Sequence, residues 1–304
     1  MNTQPPNFDT SAPVLVTGAT GFVAGWVVKR LLEEGFTVHA AVRDPQNAEK
    51  LKHLNAIAAE TAGNIRFFKS DLLDEGSYAE AMEGCSVVFH TASPFTLAIK
   101  DPQKDLIDPA LIGTRNVLTQ ASQTDSVRRV VVTSSCAAIY CDAADCASAP
   151  NGVLTEDVWN TRASLGNQPY SYSKTLAEKE AWKIAQTQTQ WDLVTVNPSL
   201  VMGPAIGGNP TSESYNIMRQ LGNGMFKMGA PKAGIGIVDV RDLADAHLAA
   251  AFIPSANGRN IISAHNSDLF EVLNTLAQQP LSHRALRNRV ALAVLLREGV
   301  EHLE

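Results

Sequence analysis

The chain has 304 residues, of which 45% are hydrophobic and 18% are charged, and its 20 glycines and 15 prolines are close to ordinary usage. This composition excludes a disordered chain and a fibrous repeat and indicates a globular protein. The formal net charge is −6 and no run of Lys and Arg occurs. Binding to nucleic acid or to an anionic membrane surface is therefore not expected.

Cellular location and metal content are predicted from what the sequence lacks. No stretch approaches the length of an apolar membrane span, and segment 1–13 has no signal-peptide layout. The four cysteines have no histidine or second Cys pair at zinc-ligand spacing; they are Cys85, Cys136, Cys141 and Cys146. We expect a cytoplasmic protein with free thiols and no metal site.

Short apolar runs alternate with helix-period segments through the first two thirds of the chain. Strands are predicted at 13–17, 37–42, 65–69, 86–90, 129–133 and 192–197. Helices are predicted at 22–34, 46–60, 74–83, 105–122 and 170–187. This alternation is typical of a Rossmann-type, doubly wound parallel sheet with helices on both faces, in the α/β class.

The rhythm changes after Pro198, which divides the chain in our prediction into two parts. Residues 12–197 form the dinucleotide-binding domain with the catalytic helix, and residues 198–304 form a smaller, mostly helical substrate-side lobe. Parts such as 236–265 are expected to return to the main domain. Helices are predicted in this second part at 212–221, at 240–252 after a cap at Asp239, and at 281–304.

A Gly-rich turn follows the first strand and opens the first helix. Gly18 permits the tight turn, Gly21 lets backbone N–H groups approach a pyrophosphate, and Ala24 takes the close-packing position. A plain strand-to-helix turn is the alternative, but the position within the first βαβ unit favours a dinucleotide. The loop residues expected to bind it are Gly18, Thr20, Gly21, Phe22 and Val23.

The second strand ends at Arg43, where NAD-binding chains usually have the acid that binds the ribose 2′-hydroxyl. A guanidinium can pair with a 2′-phosphate, and Lys50 can add a second cation, so the sequence favours NADP. The alternative is that Arg43 is solvated and that Asp44 binds the ribose.

Tyr170 and Lys174 are four residues apart at the start of a predicted helix, on the same face. A nearby ammonium lowers the pKa of a phenol toward the working range of an acid–base catalyst. This spacing selects Tyr170 as proton donor and leaves Tyr172 a pocket or packing role. Ser135 follows the fifth strand at the ligand edge of the sheet, where it can hydrogen-bond a substrate carbonyl.

These residues carry a resemblance to a known family. The segments 17–22, 71–72, 90–92, 133–135, 170–174 and 197–198 resemble, in order and spacing, the extended short-chain dehydrogenases/reductases. The segments 42–45 with Lys50, 90–95 and 239–242 are similar to the NADPH-dependent branch of dihydroflavonol reductase and cinnamoyl-CoA reductase. The resemblance covers roughly residues 12 to 265.

The resemblance implies the functional residues position by position. Ser135, Tyr170 and Lys174 would be the catalytic triad, and Lys174 would also bind the nicotinamide ribose. Further cofactor contacts are implied at Asp71 and Leu72 near adenine and, near nicotinamide, at Thr91, Ala92, Ser93, Pro198 and Val201.

Two departures keep the plant substrates of this branch unsupported. Tyr140 stands where dihydroflavonol reductases have a substrate-reading Asn, and segment 168–171 lacks the Asn-Trp-Tyr-Cys pattern of cinnamoyl-CoA reductases. The tail after about residue 265 is also shorter than is general in the family. We expect apolar or aromatic pocket residues at Phe95, Tyr140, Tyr215 and Phe226.

We therefore predict an NADPH-dependent reductase of a hydrophobic or aromatic aldehyde, ketone or keto ester, acting as a monomer or homodimer on a small-molecule carbonyl or alcohol. One alternative is an NAD-dependent nucleotide-sugar epimerase or dehydratase on the same scaffold, since fold alone does not fix the reaction. Another is a non-catalytic dinucleotide sensor.

Overall fold

The computed structural model describes residues 11–93, 99–207, 212–222, 234–268 and 271–272. The main sheet contains β1 (Val14–Thr17), β2 (Thr37–Val42), β3 (Asn64–Lys69), β4 (Val87–His90), β5 (Arg129–Thr133), β6 (Asp192–Pro198) and β9 (Gly258–Ile262). A smaller sheet contains β7 (Leu200–Met202), β8 (Gly234–Asp239) and β10 (His265–Asp268).

The seven main strands are parallel and lie in the order β3-β2-β1-β4-β5-β6-β9. The strand order reverses between β1 and β4, which in an open α/β sheet marks the ligand crevice beyond the carboxyl ends of the strands. The predicted Rossmann-type fold is confirmed.

Helices cover both faces of this sheet. One core cluster joins the sheet to α1 (Phe22–Glu33), α2 (Ala48–Glu60) and α8 (Val240–Phe252), all on one face. The other cluster joins it to α3 (Ala79–Met82), α4 (Asp108–Gln123) and α6 (Pro169–Ala185) on the opposite face. Because helices cover both faces, the central strands β1, β4 and β5 are Val-rich and buried over most of their length.

Several helix boundaries differ from the prediction for local reasons. The third helix is only four residues long, since a turn with Gly76 at φ +78° occupies the preceding segment. A single π-helical turn, Gln103–Ile107, precedes α4, and α4 has a proline in its first turn. Two short helices complete the described residues, α5 (Asp145–Ser148) and α7 (Glu213–Gly222).

The second part of the chain contributes to the main body. β9 pairs with β6 in the main sheet, and α8 packs against α1, where Arg30 Nε donates to Asp245 Oδ1 at 2.6 Å. Asp239 caps α8 as predicted, since its side chain accepts from the Arg241 amide. The strands β7 to β10 were not predicted, and the predicted helix 281–304 lies outside the described residues. Within the described ranges, no helix has both the length and the apolarity needed to cross a membrane.

Candidate active site

The carboxyl ends of the central strands meet at one edge of the sheet. Thr17 at the end of β1 is in register with His90 at the end of β4, and His90 is in register with Val132 of β5. Thr133 is in turn in register with Val196 of β6. The loops after β1, β4, β5 and β6 therefore leave the sheet side by side, and they include the predicted site residues Gly18, Ala92 and Ser135.

Thr17 fixes the first two loops against each other. Its hydroxyl accepts from the Ala92 amide at 3.0 Å and shares a second hydrogen bond of 3.1 Å with His90 Nδ1. Burial and the positive charge of Lys174 lower the pKa of His90 to about 3, so the ring is neutral and structural.

Gly18 makes close contact between these loops possible. Its φ is +63°, and a Cβ there would lie 3.0 Å from the Ala92 Cβ and 3.1 Å from the Ala92 Cα. A left-handed backbone and a close approach both require glycine at this position.

We predict that Gly18→Ala lowers the unfolding free energy by about 1–3 kcal/mol and weakens dinucleotide binding, because strain is added and the loop must move. The control is Gly25→Ala in α1, where a Cβ would meet nothing within 4 Å. There a gain of about 0.5–1 kcal/mol is expected, since alanine is the better helix former. Chemical denaturation measures both, and equal effects of the two variants would contradict this account of Gly18.

The start of α1 has the features of an anion-binding end. Gly21 is the N-cap residue, no side chain caps the helix, and its first turn contains no acid. The exposed helix end therefore carries an uncompensated partial positive charge. A pyrophosphate fits this end, because Gly21 has no Cβ to block its approach.

The two predicted 2′-phosphate ligands, Arg43 and Lys50, are both exposed near the end of β2 and the start of α2. Asp44 is already engaged, since its carboxylate accepts from the Gln46 amide at 3.0 Å. This contact uses one of the two carboxylate oxygens, so the alternative that Asp44 binds the ribose stays open. The pair of cations thus remains the prediction for a phosphate-bearing ribose.

The helix α6, which contains the predicted catalytic residues Tyr170 and Lys174, begins at an unusual backbone conformation. Gln168 has φ +51°, and its side chain accepts from the Ser171 hydroxyl at 3.1 Å, while Pro169 opens the helix. This arrangement orients the first turn, which contains Tyr170. One turn later, burial lowers the pKa of Lys174 to about 8, and the negative charge of Glu178 opposes this shift.

Ser135 lies two residues after β5, has an extended backbone and caps the turn Cys136–Ala138. Its hydroxyl accepts from the Ala137 amide at 3.1 Å, which leaves the hydroxyl proton available for donation. Its carbonyl accepts from Asn197 Nδ2 at 3.2 Å. The backbone of the residue that is predicted to polarise a carbonyl is thus held by the neighbouring strand β6.

A small cavity lies beside these groups, between the ends of β4 and β5 and the helices α4 and α6. Its volume is about 20 Å³, room for one water molecule. Its lining includes Leu72, His90, Ala92, Ser93, Thr114, Lys174 and Glu178. The structure therefore brings predicted cofactor contacts from two loops, Leu72 after β3 and Ala92 and Ser93 after β4, together with Lys174. A comparison with protein families adds that residues 14–262 match the NAD dependent epimerase/dehydratase family.

The chain belongs to the NAD dependent epimerase/dehydratase family. The match runs from the first residue of β1 to the last residue of β9, so it spans the whole main sheet. Groups of acidic, histidine and cysteine side chains that could hold a metal ion are absent from the described part of this family member.

Several proteins of similar sequence are reductases. This chain is 40% identical over 275 residues to cinnamoyl-CoA reductase CAD2 of Medicago truncatula. This alignment covers 86% of this chain and 80% of that relative. It is 38% identical over 285 residues to a putative anthocyanidin reductase of Ginkgo biloba, covering 90% and 82%. The predicted resemblance to the reductase branch is confirmed.

A solved structure of similar shape is yeast methylglyoxal/isovaleraldehyde reductase Gre2 complexed with NADPH. The two chains superpose with a TM-score of 0.72 at 28% identity, over 88% of this chain and 82% of that one. The likeness extends beyond the glycine loop to nearly the whole chain.

The predicted substrate residues are only partly described. Tyr215 on α7 lies over the start of α1, with its ring centroid 5.9 Å from that of Phe22. Tyr140 follows the turn after Ser135, and burial raises its pKa to about 12. Phe95 and Phe226 lie outside the described residues.

The remaining predicted cofactor residues occupy different environments. Asp71 is exposed and its carboxylate accepts from the Leu73 amide at 2.9 Å. Pro198 and Val201 are buried at the end of β6 and in β7, and Val201 is part of the main core. Their contacts with a cofactor stay predictions.

Three functional-looking side chains near the site were not predicted. Glu178 and Arg259 form a buried ion pair with 2.6 Å between Oε1 and Nε. His247 of α8 is also buried, and its Nδ1 donates to the Leu243 carbonyl at 2.7 Å, so its Nε2 accepts from the Thr133 hydroxyl at 2.8 Å. The one feature of the sequence that could have indicated Glu178 is its position one helical turn after Lys174.

Proposed function

We propose that this protein is an NADPH-dependent oxidoreductase of the short-chain dehydrogenase/reductase type that reduces a carbonyl to an alcohol. The observation that carries the proposal is the convergence of Ser135, the Lys174 helix and the glycine loop at one sheet edge. The NADPH-bound reductase neighbour and the reductase relatives support the cofactor and the reaction class.

NADPH, when bound, supplies the hydride that forms the new C–H bond at the carbonyl carbon. Tyr170 gives its phenolic proton to the carbonyl oxygen, which becomes the alcohol oxygen. Ser135 donates its hydroxyl proton in a hydrogen bond to the same oxygen and so orients and polarises the carbonyl. Lys174, by its positive charge, stabilises the phenolate that Tyr170 leaves behind.

The substrate we propose is a hydrophobic or aromatic aldehyde, ketone or keto ester. The relatives' names include cinnamoyl-CoA, an anthocyanidin, methylglyoxal and isovaleraldehyde, so the scaffold accepts substrates of different sizes, and the aldehydes among them favour a carbonyl here. Tyr140 and Tyr215 would supply the aromatic lining on this side of the pocket.

The test is loss of NADPH absorbance with a panel of aromatic aldehydes, ketones and keto esters, with NADH run in parallel. Turnover that prefers NADPH is expected. If no carbonyl in the panel is reduced and the purified protein retains tightly held NAD, the epimerase or dehydratase alternative replaces this proposal. Binding of NADPH without any turnover would favour the dinucleotide sensor.

We predict that Arg43→Glu weakens NADPH binding by roughly 10- to 100-fold and changes NADH binding much less, because a charge-assisted contact with the 2′-phosphate is lost. The matched control is Lys52→Glu, which makes the same charge change at an exposed position of α2. The measurement is the dissociation constant of NADPH and of NADH for each variant, from fluorescence titration. An unchanged NADPH/NADH preference in Arg43→Glu would refute the phosphate role.

A further inference from the structure

Glu178 is a buried carboxylate next to Lys174. It lies one turn after Lys174 on α6, it is 1% exposed, and both side chains line the same cavity. Five side chains donate to its two oxygens: Ser134 Oγ at 2.5 Å, Thr195 Oγ1 at 3.2 Å, Asn197 Nδ2 at 2.7 Å, Trp182 Nε1 at 3.4 Å and Arg259 Nε at 2.6 Å. This surrounding of donors is what an ionised carboxylate requires when it is buried.

These donors come from the elements that hold the catalytic residues. Ser134 directly precedes Ser135 at the end of β5. Asn197 of β6 donates to Glu178 Oε2 and also to the Ser135 carbonyl at 3.2 Å. One carboxylate thus joins the helix of Tyr170 and Lys174 to the strand end of Ser135.

Arg259 extends the same network to the loop between β5 and α6. Its guanidinium lies 3.7 Å from the centroid of the Trp159 ring. It donates to the carbonyls of Glu156 at 2.7 Å, Val158 at 2.5 Å and Ala138 at 3.3 Å. The counterion of Glu178 therefore holds the turn that Ser135 caps.

The charges around Lys174 make Glu178 its anionic neighbour in the cavity. His90 of β4 faces the cavity as a neutral ring, Tyr170 lies one turn earlier on α6, and Arg259 of β9 lies behind Glu178. Burial favours the neutral amine of Lys174, and Glu178 favours the ammonium. The ammonium is the form that stabilises a phenolate.

We propose that Glu178 is a positioning residue of the active site, which keeps Lys174 charged and holds Ser135 in place, with Arg259 as its fixed counterion. This inference rests on the proposed carbonyl reduction. A structural ion pair alone would not couple to the titration of Lys174, and this difference makes the two roles separable.

The test compares Glu178→Gln with Glu180→Gln. Glu180 lies on the same helix and pairs at the surface with Arg115 at 2.7 Å, so the control removes one carboxylate charge away from the site. Reduction by the wild type should fall as the pH rises through the pKa of Lys174, about 8. In Glu178→Gln this fall should move to a pH about one unit lower, since the neighbouring negative charge is gone. Glu180→Gln should keep the wild-type profile.

A second readout needs no turnover. The acetylation rate of the Lys174 amine, followed by peptide mapping against pH in cofactor-free protein, reports its protonation directly. Glu178→Gln should react at lower pH than wild type and Glu180→Gln. Profiles that coincide for folded Glu178→Gln and wild type, in turnover and in acetylation, would overturn the positioning role.

Glu178→Gln leaves Arg259 buried without its partner, so its folding is checked by circular dichroism. If it does not fold, the double variant E178Q/R259Q decides, since it leaves no unpaired charge in that core. A shift of the Lys174 profile to lower pH in the double variant supports the proposal. A wild-type profile in the double variant, or its failure to fold, would show that the ion pair of Glu178 and Arg259 is purely structural. Either result overturns the proposal. Absence of carbonyl reduction in the wild type would instead refute the proposed function, and the acetylation profiles would still report on Glu178.

Discussion

Tyr170→Phe is expected to lower the turnover number for carbonyl reduction by about 10²- to 10⁴-fold, because the substitution removes the proton donor. The phenyl ring keeps the packing of the first turn of α6. NADPH affinity should change little, since the phenol acts on the substrate oxygen. Stopped-flow turnover and NADPH fluorescence titration measure the two quantities separately.

The matched control for this variant is Tyr172→Phe, which makes the same chemical change two residues later. Tyr172 points away from the face shared by Tyr170 and Lys174, so it should retain most of the wild-type turnover. Near-full activity in Tyr170→Phe would remove Tyr170 from the mechanism. Equal losses in both variants would show that a ring hydroxyl in this turn matters for structure only.

The sequence predicts those parts of the fold that depend on local pattern. The strands up to β6 are short apolar runs between helix-period segments, and their predicted bounds are within about two residues of those observed. The glycine loop is equally local, since φ +63° at Gly18 and the helix start at Phe22 follow from neighbouring residues.

The strands beyond β6 cannot be predicted in this way, because their sequences are not apolar runs between helix-period segments. β9 begins with Gly258, Arg259 and Asn260, which resembles a loop. β9 forms a strand because it pairs with β6. The charge of Arg259 is accommodated because its guanidinium forms an ion pair with Glu178 of α6. This is tertiary context overriding local preference.

In the candidate site, too, the residues that follow from local pattern can be predicted and those that depend on long-range contacts cannot. Tyr170, Lys174 and Ser135 can be predicted, since their spacing and strand-end position have direct chemical meaning. The support around them depends on contacts between residues far apart in the chain, such as Thr133 with His247 and Glu178 with Arg259. No spacing in the sequence indicates those pairs.

Lys174→Met should lower turnover at neutral pH by about 10²-fold or more, because the phenol of Tyr170 loses the charge that stabilises its phenolate. Stability should be kept, since methionine has a similar length and Glu178 keeps Arg259 as its partner. The control is Lys183→Met, at an exposed position of the same helix.

The pH profile separates this variant from a mere loss of packing. Lys174 is charged below a pKa of about 8, so wild-type reduction should decline above that pH. Without the ammonium the decline near pH 8 should disappear. NADPH binding should also weaken, unlike in Tyr170→Phe, because Lys174 is predicted to bind the nicotinamide ribose as well. A Lys174→Met enzyme that keeps the decline near pH 8 would show that another group titrates there, and the roles proposed for Lys174 and Glu178 would both have to be given up.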